Sequence, residues 1–183
     1  LRARGWFSER PAPDLLSLLD LVALGTVCDV VPLTGVIRAL TAQGLKVIAA
    51  RGNTGIRTLL DVARVDETPG AYHLGFMLGP RVNAGGRVGQ SDLGSRLLAT
   101  DDPAEALALA RALDRYNDER KAIEAIVLEQ AFAQALAQDN LPLLLIAGQG
   151  WHPGVIGIVA GRLKERLHKP AAVVALEGGI GKA

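Results

Sequence analysis

The stretch Leu143-Leu-Leu-Ile-Ala-Gly-Gln-Gly-Trp-His-Pro-Gly-Val-Ile-Gly-Ile-Val-Ala-Gly-Arg162 decides the fold class. Residues 143–147 form a short apolar run of strand length, read as a buried strand, and Gly148-Gln-Gly150 breaks it as a loop. From Pro153 to Leu167 the pattern turns helical, with proline at a first position where no N–H is needed. Residues 171–176 are a second apolar run. Strand, helix and strand in this order make a βαβ-like unit, and the helical crossover lets its strands run parallel.

Upstream lies the longest helical segment. Thr100-Asp-Asp-Pro-Ala-Glu105 offers Asp102 as N-cap, Pro103 at N1 and Glu105 at N3, a capping box by position. From there to Gln138 there is neither Gly nor Pro, and Asn140-Leu-Pro142 ends the run. A helix of roughly 35 residues is about 50 Å long, the size of a connector between domains. Shorter helices are expected over 14–24, over 34–50 with Thr34 as N-cap, and over 56–63, 71–78 and 93–99. The fold class is α/β: the C-terminal part of one α/β domain at 1–100, a connecting helix at 101–139, and the beginning of a second α/β domain at 140–183.

Composition narrows the function. Of 183 residues, 49% are hydrophobic, enough to bury a core. No apolar run reaches the roughly 18–20 residues of a membrane span, and the basic, polar first ten residues do not resemble a signal peptide. The single cysteine, Cys28, excludes an internal disulfide and fits a reducing cytoplasm. A small buried thiol is its expected fate, despite the neighbouring Asp29. Net charge is +1, but it is unevenly spread. Residues 36–64 carry five bases against one acid, 101–139 nine acids against four bases, and 140–183 five bases against two acids. This basic–acidic–basic order fits two nucleic-acid-facing modules joined by a solvated acidic helix, and equally fits ordinary surface charge.

Three places can carry chemistry. The first is Ala23-Leu-Gly-Thr-Val-Cys-Asp-Val-Val-Pro-Leu33, where Asp29 breaks an apolar segment and, if buried, needs a partner. The plain reading of Asp29 is a helix-terminal carboxylate hydrogen-bonded to loop amides. The second is Gly79-Pro-Arg-Val-Asn-Ala-Gly-Gly-Arg87, where Arg81 and Arg87 bracket Asn83 and a glycine pair. Guanidinium forks suit phosphate geometry and glycines let a ligand approach; a glycine-rich turn with solvated arginines is the alternative. The third is Trp151-His-Pro-Gly154, where His152 and Gly154 stand at a helix N-terminus, whose free amides and positive dipole end favour anions. A capping or packing role for His152 remains open beside ligand contact. His73 and His168 lie on helices without partners and read as structural or solvated, and Trp6 and Trp151 are too few for a base-stacking platform.

In this order, the three motifs resemble the RecJ family of single-strand DNA 5′→3′ exonucleases, within the DHH phosphoesterase superfamily. The resemblance runs from about Leu15 to Lys182 and covers only the middle of a RecJ protein. It implies that residues 1–100 are the C-terminal part of a DHH domain and that 140–183 begin a DHHA1 domain. It further implies that Asp29 is a catalytic metal ligand for Mn²⁺ or Mg²⁺, and that Arg81, Asn83, Arg87, His152 and Gly154 contact single-stranded DNA. A single-strand-binding protein and a helicase are the protein partners it implies, with roles in recombination and repair. The Asp-rich motifs and the Asp-His-His triplet of the superfamily are absent, and Gly178-Gly-Ile-Gly-Lys-Ala183 stops inside a further family motif. The chain therefore reads as an internal fragment that is inactive alone. Two departures stand out: Gly85 where the family usually has Ala, a change expected to loosen the loop, and Val36-Ile37 where it usually has an acidic residue and Asn. The second removes polar support for Asp29 from the next helix. Rival readings are a DHH-type phosphodiesterase of short oligonucleotides or cyclic dinucleotides, and a catalytically inactive DNA-binding scaffold.

Overall fold

The computed structural model describes residues 1–138 and 140–183. Beyond a single 3₁₀ turn at Arg2–Arg4, its elements are α1 (Leu19–Cys28), α2 (Gly35–Ala49), α3 (Thr54–Val62), a π-helical turn (His73–Leu78) running into α4 (Gly79–Val88), α5 (Leu93–Ala99), α6 (Pro103–Leu136), β1 (Leu144–Gln149), α7 (Pro153–Leu167), β2 (Ala171–Glu177) and β3 (Ile180–Lys182). They fall into two compact units, one of Leu1–Pro80 with Leu97–Ala110, the other of Arg81–Arg96 with Arg111–Ala183.

The first unit is helical. α1 packs on α2, and α3 is capped by Asn53, whose Oδ1 accepts from the Ile56 amide at 2.9 Å. The Asn53 amide also donates to the Leu98 carbonyl at 3.3 Å, tying α3 to α5. Ala23, Leu24, Ile48, Leu59, Leu74 and Leu97 are buried here. The expected helix over 14–24 starts late. Asp14 Oδ1 accepts from the Leu16 amide and the Ser17 hydroxyl donates to the Asp14 carbonyl, a local turn that competes with helix, and Leu15, Leu16 and Leu18 stay exposed. Thr34 is the N-cap of α2 by position but makes no side-chain cap bond.

The helix expected over 71–78 does not end before Gly79-Pro80. It passes through the π turn, where the Gly79 N–H donates to the Leu74 carbonyl five residues back, and continues as α4. The wider turn directly precedes Pro80, which has no N–H to give to a regular helical ladder.

The long helix is present. Asp102 Oδ1 accepts from the Ala104 amide at 2.9 Å, while Glu105 reaches the Thr100 hydroxyl rather than the cap amide. Its 34 residues give α6 a length of about 51 Å; it ends at Leu136, and Asp139 of the expected 101–139 segment lies outside the described residues. It is not the solvated acidic rod that its charge implies. It buries Ala106, Leu109 and Ala110 in the first unit, and Leu113, Val127, Ala131 and Ala135 in the second. Between these apolar steps Asn117, Arg120 and Glu124 are buried too.

The second unit holds the sheet, in the order β1-β2-β3. β1 and β2 run parallel from Leu144↔Ala171 to Gln149↔Leu176, with α7 as the crossover, as the sequence implies. β1 is longer than expected and takes in Gly148-Gln149. It is buried on one face only: Leu144 and Ile146 are inside while Leu145 is 60% exposed. β3 was not expected. Gly178 and Gly179, both at positive φ, make a two-residue turn that returns the chain antiparallel to β2. Val155, Val159 and Leu163 of α7 pack with Val127 and Ala131 of α6 and with Val173 and Ala175 of β2 in one core.

Candidate nucleic-acid interface

Asp29 lies in the first unit as the C-cap of α1, with its N–H on the Gly25 carbonyl at 3.0 Å. The next two amides close the helix end: Val30 N–H donates to the Val27 carbonyl and Val31 N–H to the Thr26 carbonyl, each at 3.1 Å. This closure needs a left-handed residue after the cap, and Val30 supplies it at φ 55°, a conformation that costs a β-branched side chain about 1–2 kcal/mol. Asp29 is exposed, so it does not bear the cost of burial expected from its apolar neighbours. Among the described residues its carboxylate has no hydrogen bond or ion pair, with loop amides or otherwise. Val36 and Ile37 of α2 are exposed and offer it nothing polar. A carboxylate also sits unfavourably at the negative end of a helix dipole.

Cys28 turns the other way. Its Sγ donates to the Leu74 carbonyl at 3.7 Å and packs on Gly79. Burial first, then the neighbouring Asp29 charge, push its pKa up to about 11, so the thiol is a packing group at neutral pH.

The Gly79–Arg87 motif is helix, not loop. Gly85 is inside it, and a Cβ there would lie 2.5 Å from the Gln90 carbonyl oxygen, so the glycine serves a close backbone approach rather than loosening a loop. Helical periodicity puts Asn83, Gly86 and Arg87 on one exposed face, while Arg81 points elsewhere. Arg81 Nε donates to Asp114 Oδ1 at 2.8 Å, an ion pair mostly shielded from water that joins α4 to α6 within the second unit.

At the third motif, His152 is the N-cap of α7: its Nδ1 accepts from the Gly154 amide at 3.0 Å. Nδ1 is thereby the unprotonated nitrogen of the neutral ring, and Nε2 carries the proton and can donate to a ligand. Gly154 meets the end of α4. A Cβ on it would lie 2.1 Å from the Arg87 carbonyl oxygen, and Arg87 donates back to the Gly154 carbonyl at 3.2 Å. Gly86, Arg87, Pro153, Gly154, Gly157 and Lys182 line an open hollow of about 640 Å³ at this junction. The structure thus brings Arg87, Gly154 and the start of α7 together, with Asn83 on the same helix face as Arg87. It ties Arg81 to Asp114 and leaves Asp29 in the other unit. Lys182 joins the hollow through the β2–β3 hairpin, which no sequence signal singled out beyond the glycine string before it. Trp151 is buried in the core with its indole N–H on Gln130, and His73 bridges the Gly70 amide and the Glu67 carboxylate; both are structural.

A metal site does not assemble. Among the described residues, no three His, Cys, Asp or Glu side chains gather where a metal ion could bind, so Asp29 alone does not fit a resident divalent ion. No helix among them is long and apolar enough to cross a membrane.

No family model matches the chain. It is 45% identical over 187 aligned positions to the single-stranded-DNA-specific exonuclease RecJ of Escherichia coli, across 97% of this chain and 32% of that protein. To the Thermus thermophilus protein of the same description it is 40% identical over 163 positions, 89% of this chain and 24% of that one. The crystal structure of RecJ in complex with Mg²⁺ from Thermus thermophilus superposes with a TM-score of 0.84 at 38% identity, covering 94% of this chain and 27% of that one. A crystal structure of exonuclease RecJ bound to manganese does so at 0.80 and 37%, covering 94% and 43%. The chain spans between about a quarter and a third of the length of these curated relatives. Sequence and fold agree over nearly all of its length, and on both grounds the chain belongs to the RecJ family.

Proposed function

We propose that this chain is the central portion of a metal-dependent exonuclease that degrades single-stranded DNA from the 5′ end by hydrolysing phosphodiesters. One observation carries the reading: Arg87 at the end of α4, the N-terminal turn of α7 and Lys182 surround one open hollow. A guanidinium fork, an ammonium and a helix N-terminus around one cavity form a surface for a phosphodiester backbone. His152 Nε2, on the residue before Pro153, and Asn83, on the same exposed face of α4 as Arg87, add neutral donors. Arg81 acts through Asp114 to hold α4 on α6. The names of the relatives support single-stranded DNA as the substrate.

Residues 1–100 would then belong to a DHH domain, 101–139 to the connecting helix and 140–183 to a DHHA1 domain. Asp29 would give one carboxylate to Mn²⁺ or Mg²⁺, with the other donors outside this sequence. The protein would work in the cytoplasm in DNA recombination and repair, beside a single-strand-binding protein and a helicase.

The test uses the full-length protein that carries this segment. Asp29→Asn is expected to abolish Mn²⁺-dependent nucleotide release while leaving affinity for single-stranded DNA within about twofold. Arg87→Ala is expected to weaken binding and to lower the salt slope of log K by roughly 1. Unaltered cleavage by Asp29→Asn overturns the reading. Cleavage confined to cyclic dinucleotides or short oligonucleotides would favour another DHH-type phosphodiesterase, and binding without any cleavage by the wild type a scaffold. The 183-residue chain alone is expected to bind DNA without cutting it.

A further inference from the structure

β1 hydrogen-bonds to β2 along one side only, and at its other edge the backbone groups of Leu145 and Ala147 face α6 instead of a strand. Two glutamines of the long helix and its C-terminal turn take the place of that strand. Gln138 Nε2 donates to the Leu145 carbonyl at 2.8 Å and its Oε1 accepts from the Leu145 amide at 2.9 Å. Gln134 treats Ala147 the same way, at 2.8 and 3.2 Å. The repeats match: four residues of helix rise about 6 Å, and two residues of strand about 6.6 Å. One more helical step leads to Gln130, opposite the end of the strand. Here the partner changes. Gln130 Oε1 accepts from the indole N–H of Trp151 at 2.6 Å.

That third bond reaches the candidate interface. The Trp151 indole lies so close over Gly148 that a Cβ there would be 2.0 Å from the ring. With its face fixed by Gly148 and its edge by Gln130, Trp151 has one orientation. The next residue is His152, whose ring caps α7 through Nδ1 and whose Nε2 has no partner among the described residues. We propose that Gln130 is a positioning residue for His152: acting through Trp151, it fixes the imidazole at the entrance of α7 so that Nε2–H points at a substrate phosphate. Gln134 and Gln138 seal the strand edge, which is a different task. The inference rests on the reading of His152 as a substrate contact.

The test uses the full-length protein that carries this segment, held in EDTA so that DNA is bound and not cut, with the Trp151 and His152 signals assigned by their loss in Trp151→Phe and His152→Ala. Gln130→Met removes the acceptor at similar volume, Gln130→Glu retains it, and Gln134→Met loosens the strand edge alone. The readouts are exchange of the Trp151 indole proton, the ¹⁵N shifts of His152, and the anisotropy of a 3′-fluorescein oligo(dT). Gln130→Met is expected to speed indole exchange at least tenfold, shift His152 Nδ1 away from its acceptor position, and weaken DNA binding three- to tenfold. Gln130→Glu is expected to restore all three. Gln134→Met is expected to speed exchange of the Ala147 amide without moving the His152 shifts. Unchanged His152 shifts in Gln130→Met overturn the proposal, as does an equal His152 effect from Gln134→Met. His152→Ala separates the two ideas: if it leaves DNA affinity unchanged, the substrate reading fails, and the His152 shifts alone then decide whether Gln130 positions the ring.

Discussion

Replacing Glu124 by leucine should cost the second unit far more than removing an exposed surface ion pair such as Lys121–Asp118. Glu124 is 8% exposed and bonds two arginines, Arg120 one helical turn earlier on α6 and Arg162 on α7. Arg120 is itself only 11% exposed; its other contact is Asn117 at 3.1 Å, and its Nε is buried without a partner. Loss of the carboxylate leaves that guanidinium buried, charged and held by one neutral oxygen. Breaking a buried pair from one side costs about 3–5 kcal/mol. Arg162 is 56% exposed, so solvent screens its share, and Arg162→Ala should cost about 1 kcal/mol or less. Replacing both ends, Arg120→Met with Glu124→Leu, removes the stranded charge and should recover most of the loss. Urea unfolding followed by Trp151 fluorescence in a Trp6→Phe background reports on this unit. A Glu124→Leu variant within about 1 kcal/mol of the parent, the range of an exposed pair, would refute the account, and so would a double variant no more stable than Glu124→Leu alone.

Four further outcomes follow from the geometry. The Cys28 thiol, raised to about 11, should react with iodoacetamide at pH 8 roughly tenfold more slowly in the folded than in the urea-unfolded chain, because a hundredfold smaller thiolate fraction is partly offset by higher intrinsic nucleophilicity. By linkage the fold favours the protonated thiol, so stability should decline as pH rises from about 9 towards 11, and a Cys28→Ala variant should lack that decline. Gly154→Ala would place a methyl 2.1 Å from the Arg87 carbonyl; a loss of about 1–3 kcal/mol in urea titration is expected, and a loss below about 0.5 kcal/mol, the scatter of neutral surface changes, would count against the close approach. Val30→Gly relieves about 1–2 kcal/mol of left-handed strain against about 0.5–1 kcal/mol of added backbone entropy, so a modest rise in the urea midpoint is expected.

What the sequence made legible follows a physical rule. The bounds of α5 and α7 and the parallel β1–β2 pairing come out as read, because local signals and burial agree there: Pro153 opens a helix that needs no N–H from it, and Val155, Val159 and Leu163 face the core. Errors arise where one local signal is outvoted. Gly79-Pro80 reads as a stop, yet a π turn carries the helix past it. The acids of α6 read as solvated, yet Glu124 is drawn inward by two arginines that periodicity cannot pair in advance. Four helices pass into the left-handed region at Val30, Arg51, Arg64 and His168, where glycine is the usual mark, so their ends carry no sequence signature. The glutamines facing β1 are invisible for another reason: their partners are backbone atoms of a strand edge, which leave no trace in side-chain pattern.

Asp29 is the instructive case. Its neighbours made it look like a charge in need of a partner, and the structure instead leaves it exposed and unbonded. Nothing in the packing asks for it. It sits at the wrong end of a helix dipole, at a cost of about 0.3–1 kcal/mol, and next to it a valine holds a conformation that glycine would adopt freely. Two adjacent choices against local stability, with no compensating contact among the described residues, are what remains when a side chain is placed for something outside the chain. On this argument Asp29→Asn should leave the fold as stable as before or slightly more so. Val30→Gly, by contrast, should trade a gain in stability for a looser Asp29. In the full-length protein that looseness should appear as a weaker apparent affinity for Mn²⁺, with single-stranded DNA binding unchanged. If Val30→Gly raises stability and leaves Mn²⁺ activation untouched, the strained turn is incidental, and the case for Asp29 rests on its family resemblance alone.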